Sequence, residues 1–248
     1  MNAACQGEPA MAAELHLLCA GAVKGLVLAL QPGFETSARV RVEAQFGAVG
    51  AMRDELAAGA PCDVFVATAA MVAALVASGA LRAGSARPIG RVETALAVRE
   101  AAPAPGIATS HALRSALLAA SALYIPDATR STAGAHVVAV LAALGIGDRL
   151  APRLREHPNG ATAMRALAAS GDDGALGCTQ ETEIRYTPGL ALAGALPPPH
   201  ALATVYTAAV AARAHDVDVA ERLVALLGGP ESAERRRAGG FGAVSAVD

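Results

Sequence analysis

The chain contains no tryptophan, and aromatic residues make up only 3% of its 248 positions. A core without large flat side chains has to be built from aliphatic ones. Apolar residues reach 54%, with alanine prominent, so the composition predicts Ala-rich helices packed closely on sheets. Long basic runs are also missing. Lys and Arg number 20 against 22 Asp and Glu, for a net charge of −2. Nucleic-acid binding draws on clustered cations, and none is expected here. The triplet Arg235-Arg236-Arg237 follows Glu231 and Glu234 and reads as a solvated helix face. None of the four cysteines, Cys5, Cys19, Cys62 and Cys178, belongs to a C-x-x-C pair, which argues against zinc. The last three lie in or beside apolar strand patterns and read as buried free thiols. The sequence also lacks a P-loop, a G-x-S-x-G elbow, a Ser-His-Asp order and a metal-ligand cluster, so no cofactor and no metal are expected. Membrane insertion is not expected either. The apolar stretch 15–30 is broken by His16 and Lys24 and flanked by Glu14, so it reads as a strand followed by a helix. Ala3-Ala4-Cys5 resembles the end of a lipoprotein cleavage box. No apolar run precedes it, leaving open a removed signal or a cytoplasmic protein.

What is present is strand–helix alternation. After a loose arm over 1–13, residues 15–19 form a strand, and 21–30 a helix closed by Pro32-Gly33. Residues 39–43 alternate as a half-buried strand, and Phe46-Gly-Ala-Val-Gly50 forms a glycine turn into a helix over 51–58. A strand at 63–67 and a helix at 69–77 complete a third repeat. This is the pattern of a parallel sheet wrapped by helices. Residues 79–91, rich in Gly, Pro and Arg, read as a crossing segment into a second lobe. That lobe begins with a strand at 94–98 and continues with a helix at 110–120 and further short strands at 153–156, 175–178 and 190–193. Residues 202–211 cross back, and helices over 217–227 and 230–238 finish the first lobe. The expected division is 14–84 plus 205–248 for lobe 1 and 85–204 for lobe 2.

The stretch Tyr124-Ile-Pro-Asp-Ala-Thr-Arg-Ser-Thr-Ala-Gly-Ala-His136 is the centre of interest. It reads as a buried strand end, a polar turn and a helix start. Such a start leaves backbone N–H groups unpaired and adds the positive end of the helix dipole, an arrangement suited to a small anion. Arg130 brings a full charge to the turn. An ordinary capped helix satisfies the same pattern. Arg91 sits at the crossing, where a ligand contact and a salt bridge with Glu93 are both open. His136 and Glu181 are readable as bases or as ordinary helix residues.

The order of these pieces resembles the molybdate-binding proteins of ABC importers, within the type II periplasmic binding proteins. The residues that carry the resemblance are the Ala-Gly-Ala turn, Phe46-Gly-Ala-Val-Gly50, and Ala58-Gly-Ala-Pro-Cys-Asp63 followed by Val64-Phe-Val-Ala67. Pro126-Asp127, Pro158-Asn-Gly160, Leu176-Gly177 and Gly228-Gly-Pro-Glu231 follow in the same order. The resemblance spans roughly residues 14–242. It implies an α/β, two-lobed type II periplasmic-binding-protein fold with a ligand cleft between the lobes. It also implies a monomer, a small anionic ligand, an ABC permease as partner, and a periplasmic location. The residues it places at the ligand are Ala22, Ala48 or Val49, Thr129, Arg130, Ser131, Gly160, Ala161 and Gln180, with Arg91 as a further candidate. Ala22 and Ala48 stand where molybdate binders have serine, which leaves backbone N–H groups as the main donors and favours an organic carboxylate. The resemblance extends to isomerases that move the double bond of a tricarboxylate such as aconitate. For that reaction Arg130, Arg91, His136 and Glu181 are the candidate residues.

Overall fold

The structure is a computed structural model that describes residues 13–244. The Ala3-Ala4-Cys5 motif and nearly all of the expected arm lie outside the described residues; residue 13 already belongs to the first strand. That strand, β1 (Ala13–Ala20), enters a single 3-10 turn (Gly21–Val23) and then α1 (Lys24–Ala38). The chain continues through β2 (Val40–Gly47), α2 (Val49–Ala57), β3 (Val64–Thr68) and α3 (Ala69–Ala77). A 13-residue strand, β4 (Arg87–Arg99), leads into α4 (Ser110–Ala119), β5 (Leu123–Pro126), α5 (Thr132–Ala143), α6 (Gly147–Leu150) and β6 (Leu154–His157). Then come α7 (Gly160–Ala169), β7 (Leu176–Gln180), α8 (Glu181–Tyr186), β8 (Leu190–Ala195), β9 (Ala203–Val210), α9 (Val217–Gly228) and α10 (Ala233–Ala238).

The strands run in the order β2-β1-β3-β9-β4-β7-β5-β6, with β8 also paired to β4. β1 is parallel to β2 and β3, β5 is parallel to β6 and β7, and β9 and β4 are antiparallel insertions between these two parallel groups. The long strand β4 serves both lobes. Residues 87–93 pair with β9, while 94–99 pair with β7 and β8. The handover falls at Glu93 and Thr94. Below it the core gathers Leu17, Phe65, Val66 and Leu223 around β1, β3 and α9. Above it β4 alternates. Leu96 and Val98 face a cluster with Leu113, Ile125 and Leu141, while Ala95 and Ala97 face Met164, Leu167 and Ile184. A strand that is buried on both faces puts its small residues on one of them, which lets α7 and α8 approach closely.

Three expectations about elements are corrected. Pro32-Gly33 does not end α1, which runs on to Ala38. The hydrogen bond that proline cannot make would fall on the carbonyl of Leu28, a residue 37% exposed and able to use water instead. Beyond the proline, Phe34 is buried, and Glu35 accepts from the Val42 N–H at 2.8 Å and from Gln31 Nε2 at 3.0 Å, pinning the added turn to β2. The expected glycine turn at 46–50 is divided between the end of β2 and the start of α2. The expected crossing segment at 79–91 is in part β4 itself. Asp63 of the Ala-Gly-Ala-Pro-Cys-Asp phrase is a structural pin: it accepts from the N–H groups of His16 and His215, each at 2.7 Å. Among the described residues no single helix is long and apolar enough to cross a membrane, and no group of three or more His, Cys, Asp or Glu gathers as a metal site.

Candidate functional site

Parallel strands point their carboxyl ends at the helices that follow them, and a ligand crevice forms there in open α/β sheets. In this fold the ends of β1, β2 and β7 and the starts of α2, α5, α7 and α8 meet across the gap between the lobes. Gly21, Ala22, Gly47, Ala48 and Val49 line it from one lobe, and Ser131, Thr132, Asn159, Gly160, Gln180 and Glu183 from the other. Tyr206 of β9 lies between them. The lobes stand close. The cavity left is about 20 Å³, room for about one water molecule, and Gly50 N–H donates to the Arg130 carbonyl at 2.9 Å across the gap.

On the second lobe the starts of α5 and α7 are capped by side chains and that of α8 at Gln180 is not. Ser131 caps α5 by accepting from Gly134 N–H at 3.4 Å, and Asn159 caps α7 by accepting from Thr162 N–H at 2.9 Å. Ala20 and Ala48 begin the turn at Gly21 and the helix α2 without a side-chain cap. No side chain takes the first-turn N–H groups there, although that of Gly50 is spent on the Arg130 carbonyl.

Among the described residues no Lys, Arg or His lines this cleft. Its ionisable groups are Glu183 and Tyr206. Glu183 is the third residue of α8, where a carboxylate can reach back to the N–H of the N-cap residue, here Gln180. The Glu183 Oε2 accepts from Thr179 Oγ1 at 2.5 Å, and the backbone N–H groups of Ala161 and Gln180 also favour its charged form. Its two oxygens fill the space that side chains would take at the two facing glycines. A Cβ on Gly160 would lie 1.9 Å from Oε2, and one on Gly21 would lie 2.7 Å from Oε1. One oxygen is thus anchored inside its own lobe, and the other faces the opposite lobe. Burial pushes the Glu183 carboxyl up to about 7, against the three hydrogen bonds that favour the charged form. Burial likewise raises the Tyr206 phenol, with further contributions from Glu183 and Cys19. Gln180 is 2% exposed. Its Nε2 reaches Thr204 Oγ1 at 3.5 Å, and its Oε1 has no partner among the described residues.

Of the residues predicted from sequence, Ala22, Ala48, Val49, Ser131, Gly160 and Gln180 line the cleft, and Ala161 sits directly behind it as a donor to Glu183. The others lie elsewhere. Arg130 and Thr129 are exposed, and the Thr129 N–H and hydroxyl and the Arg130 N–H all go to Asp127 Oδ1 at 2.7 to 2.8 Å. Arg91 pairs with Glu93 at 2.7 Å beside the handover in β4. The Lys24 ammonium lies over the Phe46 ring, 5.4 Å from its centroid. His136 Nε2 meets the carbonyl of His200 at 2.8 Å, and Glu181 accepts from Arg185 at 2.6 Å. Tyr206 was not singled out from the sequence, whereas Glu183 belongs to the polar group Gln180, Glu181 and Glu183 after a buried strand, in which Glu181 is the candidate base. For Glu183 a signal was available: an acidic residue three positions after a strand end is where a helix start holds a carboxylate.

The fold and this cleft are those of a two-lobed solute-binding protein. The chain belongs to the family described as bacterial extracellular solute-binding protein, matched over residues 15–242. Aconitate isomerase from a Pseudomonas species is 26% identical to it over 236 residues, covering 91% of this chain and 88% of that protein. The periplasmic molybdate-binding protein of Azotobacter vinelandii has the same fold, with a TM-score of 0.75 at 21% identity, over 93% of this chain and 100% of that one. The sulfate-binding protein of Mycobacterium tuberculosis gives a TM-score of 0.71 at 19% identity, over 95% of this chain and 88% of its own.

Proposed function

We propose that this protein binds a small organic carboxylate between its lobes, in preference to a tetrahedral oxyanion, and hands it to an ABC permease on the periplasmic side of the membrane. The closing bodies are residues 14–84 with 205–244 and residues 94–204, and residues 85–93, expected in the second body, go with the first, since β4 pairs there with β9 and Ile89 and Val92 pack in the first core. The observation that carries the choice of ligand is Glu183 Oε1 facing Gly21 across the cleft. A deprotonated oxyanion offers that oxygen no proton and is repelled by it once the carboxyl ionises. A carboxylic ligand carrying a hydroxyl, a second ionisable carboxyl or an acidic C–H has something to give it. The bare N–H groups after Ala20 and Ala48 take the ligand's anionic end, beside the apolar surface of Ala22 and Val49. A thermal-shift series at pH 7 tests this, because a ligand present at 100 times its Kd stabilises a fold by about 2.7 kcal/mol. Citrate, trans-aconitate or a dicarboxylate is expected to raise the Tm more than molybdate, tungstate or sulfate. Sub-micromolar molybdate binding with no carboxylate effect overturns the reading.

A second reading, isomerisation of a tricarboxylate, is favoured by the chemistry of the same group. A carboxyl poised near neutrality and able to face bound ligand is suited to general-base work. In this reading Glu183 removes a carbon-bound proton. The freed electron pair forms the new double bond, and the former double bond takes up a proton at its far carbon, with Tyr206 as the neighbouring hydroxyl. Substrate and product then have the same composition. Aconitate isomerase among the relatives supports this choice of reaction. Conversion of trans-aconitate to the cis form is the assay. Glu183→Gln is expected to reduce it by about 10²-fold or more while trans-aconitate still binds. Binding of trans-aconitate without turnover leaves the first reading standing and removes the second.

A further inference from the structure

Ala22 lines a second, roomier recess as well as the cleft. This recess measures about 270 Å³ and lies where α1 of one lobe, α8 of the other and the end of α10 come together. Leu26 and Phe241, each 5% exposed, contribute its apolar floor. The Tyr186 ring forms one wall by lying against α1 at Gly25, where a Cβ would come within 2.7 Å of the ring. The rim carries two guanidinium groups. Arg185 is held in place by Glu181 at 2.6 Å and packs along Gly240, while Arg235 makes no hydrogen bond or ion pair among the described residues. Thr182, 5% exposed, lines the same recess, and its hydroxyl is buried without a partner.

We propose that this recess is a second ligand site, which takes a small monocarboxylate with an apolar body. The charge count selects a monoanion: Glu181 neutralises Arg185, which leaves Arg235 as the one uncompensated cation. The floor selects the body, since burying apolar surface against Leu26 and Phe241 is favourable and a bare acetate has little to bury. The volume is just below the range typical of drug-sized ligands, which suits a single ring or a short branched chain. An occupant touches α1 and α8 together and so spans both lobes. It stabilises whichever lobe arrangement keeps those two helices in contact.

Calorimetric titration of the full chain with benzoate at low salt tests the proposal. The expected result is one site, with Arg235→Ala weakening it about tenfold and Ala29→Phe, which fills the mouth, removing it. Both residues are exposed, and an unchanged Tm for each variant shows that the fold is intact. Acetate is expected to give no heat. The absence of binding at about 5 mM benzoate, equal affinity in the wild type and both variants, or acetate binding as well as benzoate each overturns the proposal.

Discussion

At the scale of single residues, the chemistry of the cleft centres on Glu183. Its folded value of about 7 stands above the ordinary 4.5, so the native state holds this proton more tightly than the unfolded chain does. The resulting stability is fully present below about pH 4.5 and is lost as pH rises through 7. The linkage is worth roughly 3 kcal/mol at most. Thermal melts between pH 5 and 8 are expected to show the wild type losing stability relative to Glu183→Gln as pH rises, a difference that removes the opposite contribution of His157, whose value burial lowers. Parallel slopes for the two proteins would remove the assignment of a raised value to Glu183. A second test is steric. Gly160→Ala places a methyl group 1.9 Å from Glu183 Oε2 and 2.2 Å from Thr179 Oγ1. It is expected to cost about 1–3 kcal/mol or more of stability and to weaken cleft binding, as read by denaturant unfolding and calorimetry.

At the scale of elements, the helix ends explain how much of the site was legible. Ser131 and Asn159 are recognisable caps, and both lead into cleft-lining turns. The starts at Gly21 and Val49 have only alanine before them; periodicity places the first at 21, the glycine turn places the second two residues late at 51, and resemblance to a family marks both as ligand positions. Arg130 illustrates the opposite error. Its position in a polar turn before a helix suggested a ligand clamp, but the turn closes on Asp127 and directs the side chain to solvent. At Pro32 the breaker rule failed because anchoring beyond the proline outweighs one lost hydrogen bond. Pro32→Ala restores that bond and is expected to stabilise the protein by about 1–2 kcal/mol, net of the entropy proline removes from the unfolded chain. A lower denaturation midpoint in that variant would show that the proline contributes more through the unfolded state.

At the scale of the whole molecule, opening the cleft requires parting the lobes about the two strands that join them. The bend is expected near Glu93 and Thr94, where β4 exchanges β9 for β7 and where Arg91 and Glu93 are paired. The cross-lobe bond from Gly50 to Arg130 breaks on opening. A Cβ on Gly50 would lie 3.1 Å from the Arg130 carbonyl and 3.2 Å from its Cα, so Gly50→Val is expected to wedge the lobes apart. The prediction is a larger radius of gyration in solution scattering and weaker ligand binding, with little loss of Tm. An unchanged radius of gyration would show that the helix start yields instead.

The sequence by itself determined the strand–helix alternation, the aliphatic character of the core and the order of pieces that places the chain in its family. These depend on periodicity and local propensity, which neighbouring residues carry with them. Tertiary structure alone decided which polar groups meet. Glu183, Gly160, Gly21 and Tyr206 come from four separate segments: Glu183 meets Gly160 within the second lobe, and Gly21 and Tyr206 join them where the two lobes face each other. The change in Glu183's acidity follows from burial there, a property of the surroundings that no single stretch of sequence contains.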